Sequence, residues 1–361
     1  MVSPALRVHA GPRARRHLAQ AGLSPADVRV MPAAAGGPKA LVLLPLDRFV
    51  FGHWLERSTP QILHLLGSSI GAWRMAAACL PDADAALAQL AEDYITQSYP
   101  HAPGRMPTPQ TISEHFERRL QLRLGQRAAE ILAHPQRRLH VITSRGRGLL
   151  HRPGRLAMPL GWMAAFAANA LGRQSLGSMM ERVVFSDPRD PLPFALEDYR
   201  RTLSVSLDPH NLAPAVLASC SIPFALQAVQ DVPGGPKGSY WDGGITDYHL
   251  HLDYAAMAEG LVLYPHFSDR VVPGWLDKAW KRRHRATPML DNLVLLSPSP
   301  EWVRGLPNGK LPDRNDFKAY GDDDAERQRV WRRVLAESQR LADEFAELVH
   351  GSRPVQALPL C

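Results

Sequence analysis

The sequence predicts an α/β fold: a layered, mostly parallel central sheet flanked by helices, followed by a helical C-terminal tail. Two observations carry this. Short apolar runs bounded by Gly, Ser and Pro alternate with helical segments along most of the chain. A strand, sharp turn and helix also follow one another twice within the first 80 residues. The chain has 361 residues, 45% hydrophobic and 21% charged, which is the balance of a folded polypeptide with a sizeable core. No period of 20 to 50 residues is visible, which sets aside solenoids and propellers.

The elements follow in order. A basic helical stretch at 13–21 precedes a short strand at 28–31, which runs into Ala33-Ala34-Ala35-Gly36-Gly37. A strand that ends in glycines ends in a tight loop. Pro38 suits the first turn of a helix over 40–51. The second unit has a strand at 61–66, the turn Gly67-Ser68-Ser69-Ile70-Gly71 and a helix at 72–80. Helices are expected at 84–99 and 111–133, then strands at 139–143, 182–186, 202–207, 260–264 and 292–296. Residues 322–350 place Val330, Trp331, Val334, Leu335, Leu341, Phe345 and Leu348 on one helical face. The expected division is an N-terminal extension (1–27), a catalytic body (28–300) and a helical tail packed on it (301–361).

Gly67-Ser68-Ser69-Ile70-Gly71 fits G-x-S-x-G, in which glycines on either side of a serine permit the strand-to-helix turn that exposes its hydroxyl. A serine nucleophile needs a base. Only about one strand-loop-helix unit precedes Ser69, too little chain for the sheet of a Ser-His-Asp hydrolase of the α/β-hydrolase type. His249, His251 and His266 are the histidines best placed for such a role. Tyr240-Trp241-Asp242-Gly243-Gly244 offers a different base, an aspartate at the end of an aromatic strand with two glycines beside it. Taken alone, that segment also reads as an ordinary Asp-Gly turn.

Together these motifs resemble the patatin-like acyl hydrolases. The family's glycine-rich loop, G-G-G-x-[KR]-G, is matched by Ala35-Gly36-Gly37-Pro38-Lys39-Ala40, its elbow by Gly67 to Gly71 and its D-G-[GA] by Asp242-Gly243-Gly244. Ala218-Ser219-Cys220-Ser221-Ile222-Pro223-Phe224 is similar to the segment that precedes the family's aspartate. The resemblance spans 28–265. It implies a lipase or phospholipase A-type serine ester hydrolase, with Ser69 as nucleophile, Asp242 as base, and Gly36, Gly37 and Ile70 amides around the oxyanion. Neither metal nor cofactor is implied. Lys39 falls on the family's Lys/Arg position, where a substrate-proximal role and a loop-bracing role both stay open. Two loop glycines are replaced by Ala35 and Ala40, and Pro38 has no N–H to donate. Gly-Gly-Pro-Lys recurs at Gly234 to Lys237, so that tetrapeptide is weak by itself. A catalytically silent scaffold or membrane-associated protein on the same fold is the competing reading, and a Ser-His-Asp esterase the third.

A net charge of +7 favours anionic partners. Lys278, Lys281, Arg282, Arg283 and Arg285 cluster beside Trp275 and Trp280, as in a segment lying on anionic lipid. A solvated basic helix reads equally well. No nucleic-acid-binding motif accompanies these cations. The 17 uncharged residues 156–172 contain Pro159, Gly161 and Asn169. They suit a core helix better than a wall or lid over an acyl groove, and no membrane span. Three scattered cysteines and no secretory apolar core point to a reducing, cytoplasmic setting, with peripheral contact at the inner membrane.

Overall fold

The computed structural model describes residues 3–57, 61–101, 105, 107–152, 154, 156–351 and 355–361. Its strands are β1 (Leu6–Ala10), β2 (Val28–Ala33), β3 (Leu63–Ser68), β4 (Arg137–Gly146), β5 (Met180–Ser186), β6 (Thr202–Ser206), β7 (Val229–Gln230), β8 (Ser239–Trp241), β9 (Leu261–Pro265), β10 (Leu293–Pro298) and β11 (Leu358–Pro359). They form one mixed sheet in the order β11-β1-β10-β9-β2-β3-β4-β5-β6, with the β7-β8 hairpin attached to β4 through β8.

The central run β10-β9-β2-β3-β4 is parallel. Its strands are covered on both faces, and they read as continuous apolar segments because no face is left to solvent. Val28, Val30, Leu65, Leu66, Val141, Ile142, Val262 and Leu263 are fully buried, each contributing roughly 1.5–3 kcal/mol of hydrophobic stabilisation. Beyond β4 the sheet turns antiparallel at β5, and β1 joins β10 antiparallel at the opposite side. β1 and β11 pair with each other there, bringing segments from both ends of the chain onto one sheet edge.

The expected helices form with breaks that have local causes. Over 40–51 the backbone begins as a 3-10 turn at Gly37–Leu43, becomes α-helical at Leu44–Phe49 and widens at Val50–Trp54. Pro45 has no N–H with which to continue an α-helical ladder back to Leu41. The segment 111–133 stops at Arg123 and resumes at Ala128, with Gly125 between. The tail splits into Asp324–Glu337 and Gln339–His350 at Ser338, whose hydroxyl donates to the Val334 carbonyl at 2.7 Å.

The apolar stretch at 156–172 forms the helix Ala157–Leu171, with Pro159 in its first turn. One face is buried, where Trp162 meets Trp241 edge to face at 5.6 Å. The other exposes Leu160, Met163, Phe166 and Leu171. It is therefore not a fully enclosed core helix, and no described helix is long and apolar enough to cross a membrane.

Candidate active site

β2 and β3 lie side by side with Ala33 opposite Gly67, so the two glycine-rich loops that follow them emerge together at the carboxyl ends of parallel strands. That is where open α/β sheets place their ligands. Ser69 follows β3 and precedes the helix Ile70–Ala78, with φ 57° and ψ −130°. A non-glycine residue adopts such angles only under constraint. The glycines around it are required by close approach. A Cβ on Gly71 would stand 1.9 Å from the Ala33 carbonyl oxygen, and one on Gly67 2.3 Å from Ala72 Cα.

Asp242 follows β8 immediately, and β8 lies antiparallel to β4 with Trp241 opposite Ser144. Gly243 lets this turn press against the neighbouring strands, since a Cβ there would be 2.1 Å from the Ile142 carbonyl oxygen and 2.9 Å from Ser68 Oγ. The Gly244 amide donates to Asp242 Oδ1 at 2.7 Å, and the Ser69 hydroxyl donates to Oδ2 at 2.6 Å. One carboxylate oxygen is thus held by its own turn while the other faces the serine. Ser219, in the segment Ala218 to Phe224, braces the elbow. Its Oγ accepts from the Ser69 amide at 2.8 Å and donates to the Ile142 carbonyl at 2.6 Å.

In the loop after β2, Gly37 alone takes a left-handed angle, φ 57°. Ala35 and Ala40 do not, so the substitutions there cost the loop no strained geometry. Gly37 and Ile70 line the same cavity as Ser69. Gly36 lies one residue behind, where a Cβ would meet the Phe267 ring at 2.4 Å. Among the described residues, no acceptor takes the Gly36, Gly37 or Ile70 amides. Lys39 directs its ammonium over the Phe267 ring, 5.3 Å from the centroid. The second Gly-Gly-Pro-Lys leads into the β7-β8 hairpin, where Tyr240 Oη donates to the Pro236 carbonyl.

The three histidines have other partners. His249 Nδ1 lies 3.0 Å from both the Arg270 carbonyl and the Val272 amide, His266 Nδ1 accepts from the Ser268 amide, and His251 Nε2 lies 3.3 Å from Thr287 Oγ1. Burial lowers the pKa of all three, that of His266 to about 3. Among the described residues none is hydrogen-bonded to Ser69.

Burial raises the Asp242 pKa above the usual carboxylate value, opposed by the Arg314 charge, the Ser69 hydroxyl, the Gly244 amide and the Lys278 charge. Arg314 carries no particular mark in the sequence, and Lys278 stands out there only as one cation of the basic cluster that ends at Arg285. The Lys278 ammonium stands 3.8 Å from the Tyr248 ring centroid. Desolvation there, then the neighbouring Lys39 and Arg314 charges, lower its pKa to about 7, although the rest of its side chain reaches solvent.

Ser69 opens into a cavity of about 530 Å³. Its inner wall is mostly apolar, with Ile70, Ile112, Phe116, Leu226 and Phe317, and its outer end carries His101, Arg105 and Asp322. The walls come from the segments around 94–116, 220–226 and 314–324. The helix Ala157–Leu171 contributes none of the described lining, which removes the wall-or-lid alternative for this cavity. No described group of three His, Cys, Asp or Glu side chains could hold a metal ion.

No curated protein matches the chain. Among solved structures it is similar to the crystal structure of VipD from Legionella pneumophila, at 12% identity and a TM-score of 0.38, over 95% of this chain and 71% of that one. The family model for patatin-like phospholipase matches residues 46–250, a span that includes Ser69 and Asp242 and more than half of the chain. The chain belongs to the patatin-like phospholipase family.

Proposed function

We propose that this protein is a serine acyl hydrolase that cleaves lipid acyl esters through Ser69 and Asp242. The observation that carries the reading is the 2.6 Å contact from the Ser69 hydroxyl to Asp242 Oδ2 at the edge of an apolar cavity. Ser69 Oγ attacks the acyl carbonyl as Asp242 accepts its proton. The Gly37 and Ile70 amides, with Gly36 beside them, stabilise the oxyanion. One such donor contributes roughly 3–4 kcal/mol. As the tetrahedral species collapses, Asp242 returns the proton to the leaving alcohol and an acyl-Ser69 ester remains. Water, deprotonated by Asp242, then releases the fatty acid.

The test is a panel of phospholipids, lysophospholipids, triglycerides and p-nitrophenyl esters. Wild type is expected to turn over at least one lipid class, and Ser69→Ala and Asp242→Asn to lose nearly all of it. Unchanged turnover in either variant would overturn the dyad, and an inert wild type would favour a silent scaffold.

We also propose that the protein docks on anionic membrane through the open face of the helix Ala157–Leu171. Leu160, Met163, Phe166 and Leu171 occupy that face. At its C-terminal end Arg283 donates to the Asn169 and Ala170 carbonyls, which places exposed Lys281, Arg282 and Arg285 beside an apolar surface. Replacing Leu160, Met163 and Phe166 by Ser should release the protein from phosphatidylglycerol vesicles in co-sedimentation. Undiminished binding would reject this surface. Buried Cys79 and Cys220, free in the structure, suit the reducing cytoplasmic side of such a membrane.

A further inference from the structure

The family match ends at residue 250, yet two cations from beyond it reach the site. Arg314 lines both the cavity that holds Ser69 and the smaller recess formed by Asp242, Gly244, Tyr248 and Trp275. Its side chain lies against the glycine-rich loop, with Nε 3.3 Å from where a Cβ on Gly37 would be. Lys278 stands over Tyr248, which lines that same recess, and it feels the charges of both Lys39 and Arg314. Many cations of this molecule pair with carboxylates, among them Arg74, Arg138, Arg145, Arg173 and Arg182. Among the described residues, Arg314, Lys278 and Lys39 make no ion pair at all.

Arg314, Lys39 and Lys278 repel one another, and the Asp242 and Asp313 carboxylates offset part of that charge. A group with several anionic oxygens relieves that repulsion. Phosphate does so best, because it can accept a guanidinium fork on one edge while leaving an oxygen for an ammonium. Arg314 and Lys278 are both exposed, Arg314 lining the mostly apolar cavity and Lys278 standing over Tyr248 of the adjoining recess. A phosphate therefore stays at the wet mouth while an acyl chain enters the interior.

We infer that Arg314 and Lys278, with Lys39 behind them, form a subsite for a terminal, doubly charged phosphate, which makes this enzyme selective for anionic over zwitterionic acyl lipids. This deepens the proposed hydrolase reading and rests on it. Recognition itself does not depend on turnover, so it can be measured in the Ser69→Ala background. If that variant hydrolyses esters the dyad fails, whatever the subsite does.

The experiment is calorimetric titration of full-length Ser69→Ala protein with hexyl phosphate, hexylphosphocholine and inorganic phosphate. Hexyl phosphate should bind at one site, at least tenfold more tightly than either other ligand. Adding Arg314→Gln or Lys278→Met should each weaken it tenfold or more. Arg152→Gln, remote and paired with Asp231 at the surface, should leave it unchanged. Thermal unfolding checks that each variant is folded. Equal binding of hexylphosphocholine would overturn the charge selectivity. Equal binding of inorganic phosphate would mean that free phosphate, not a lipid headgroup, is the ligand, and would overturn the substrate assignment. Affinities within twofold of the parent in both rim variants would remove the subsite.

Discussion

Ser69 holds a positive φ of 57°, and its hydroxyl meets a buried carboxylate whose pKa is raised above the usual value of about 4. Asp242 can accept a proton only when ionised. Turnover should therefore fall as pH drops through a pKa above that of an ordinary aspartate. The Arg314 charge opposes the rise, so Arg314→Gln should raise the Asp242 pKa further and move the acid limb of kcat/KM to higher pH. An unmoved acid limb would show that Asp242 is not the titrating group. Ser69 and Asp242 are legible in sequence because their neighbours must be glycine: side chains at Gly67, Gly71 and Gly243 would strike backbone. The place of Arg314 and Lys278 beside Asp242 is not legible. No local geometry demands an arginine or lysine there, and Lys278 stands out in sequence only as one cation of the cluster beside Trp275 and Trp280.

At the scale of elements, the helix Ile70–Ala78 is fixed against its surroundings twice. Gly71 packs on the end of β2, and Arg74 makes a buried bidentate pair with Asp47 on the helix Leu44–Phe49, at 2.8 and 2.9 Å. Elbow and glycine-rich loop are thereby tied to one frame. Gly71→Ala, with no room for its methyl group, is expected to lower the unfolding midpoint by several degrees and turnover by at least about tenfold, since small misplacements in an active site are costly. A fully active and stable Gly71→Ala protein would mean that this close approach is not needed. Most strands and helices are legible from apolar runs and periodicity. β1 is less so, because Leu6–Ala10 is short and its partners β10 and β11 both lie almost the whole chain away. The breaks at Pro45, Gly125 and Ser338 depend on single residues inside otherwise helical patterns.

For the whole molecule, we propose that the tail beyond residue 300 packs on the catalytic body and also completes its cavity. Arg314 and Phe317 line the space that Ser69 opens into, and Phe345 packs edge to face on Trp54 and Phe49. The +7 charge then has two uses in this account, a basic rim at the active site and a basic flank beside an apolar helix face. Neither use requires turnover, whereas the hydrolase reading requires Ser69 to be an activated nucleophile. The most direct measurement is labelling of the intact protein with a fluorophosphonate, followed by peptide mass spectrometry. One adduct is expected, on Ser69, absent in Ser69→Ala and slowed at least about 100-fold in Asp242→Asn. An adduct on another residue, or undiminished labelling without Asp242, would contradict it.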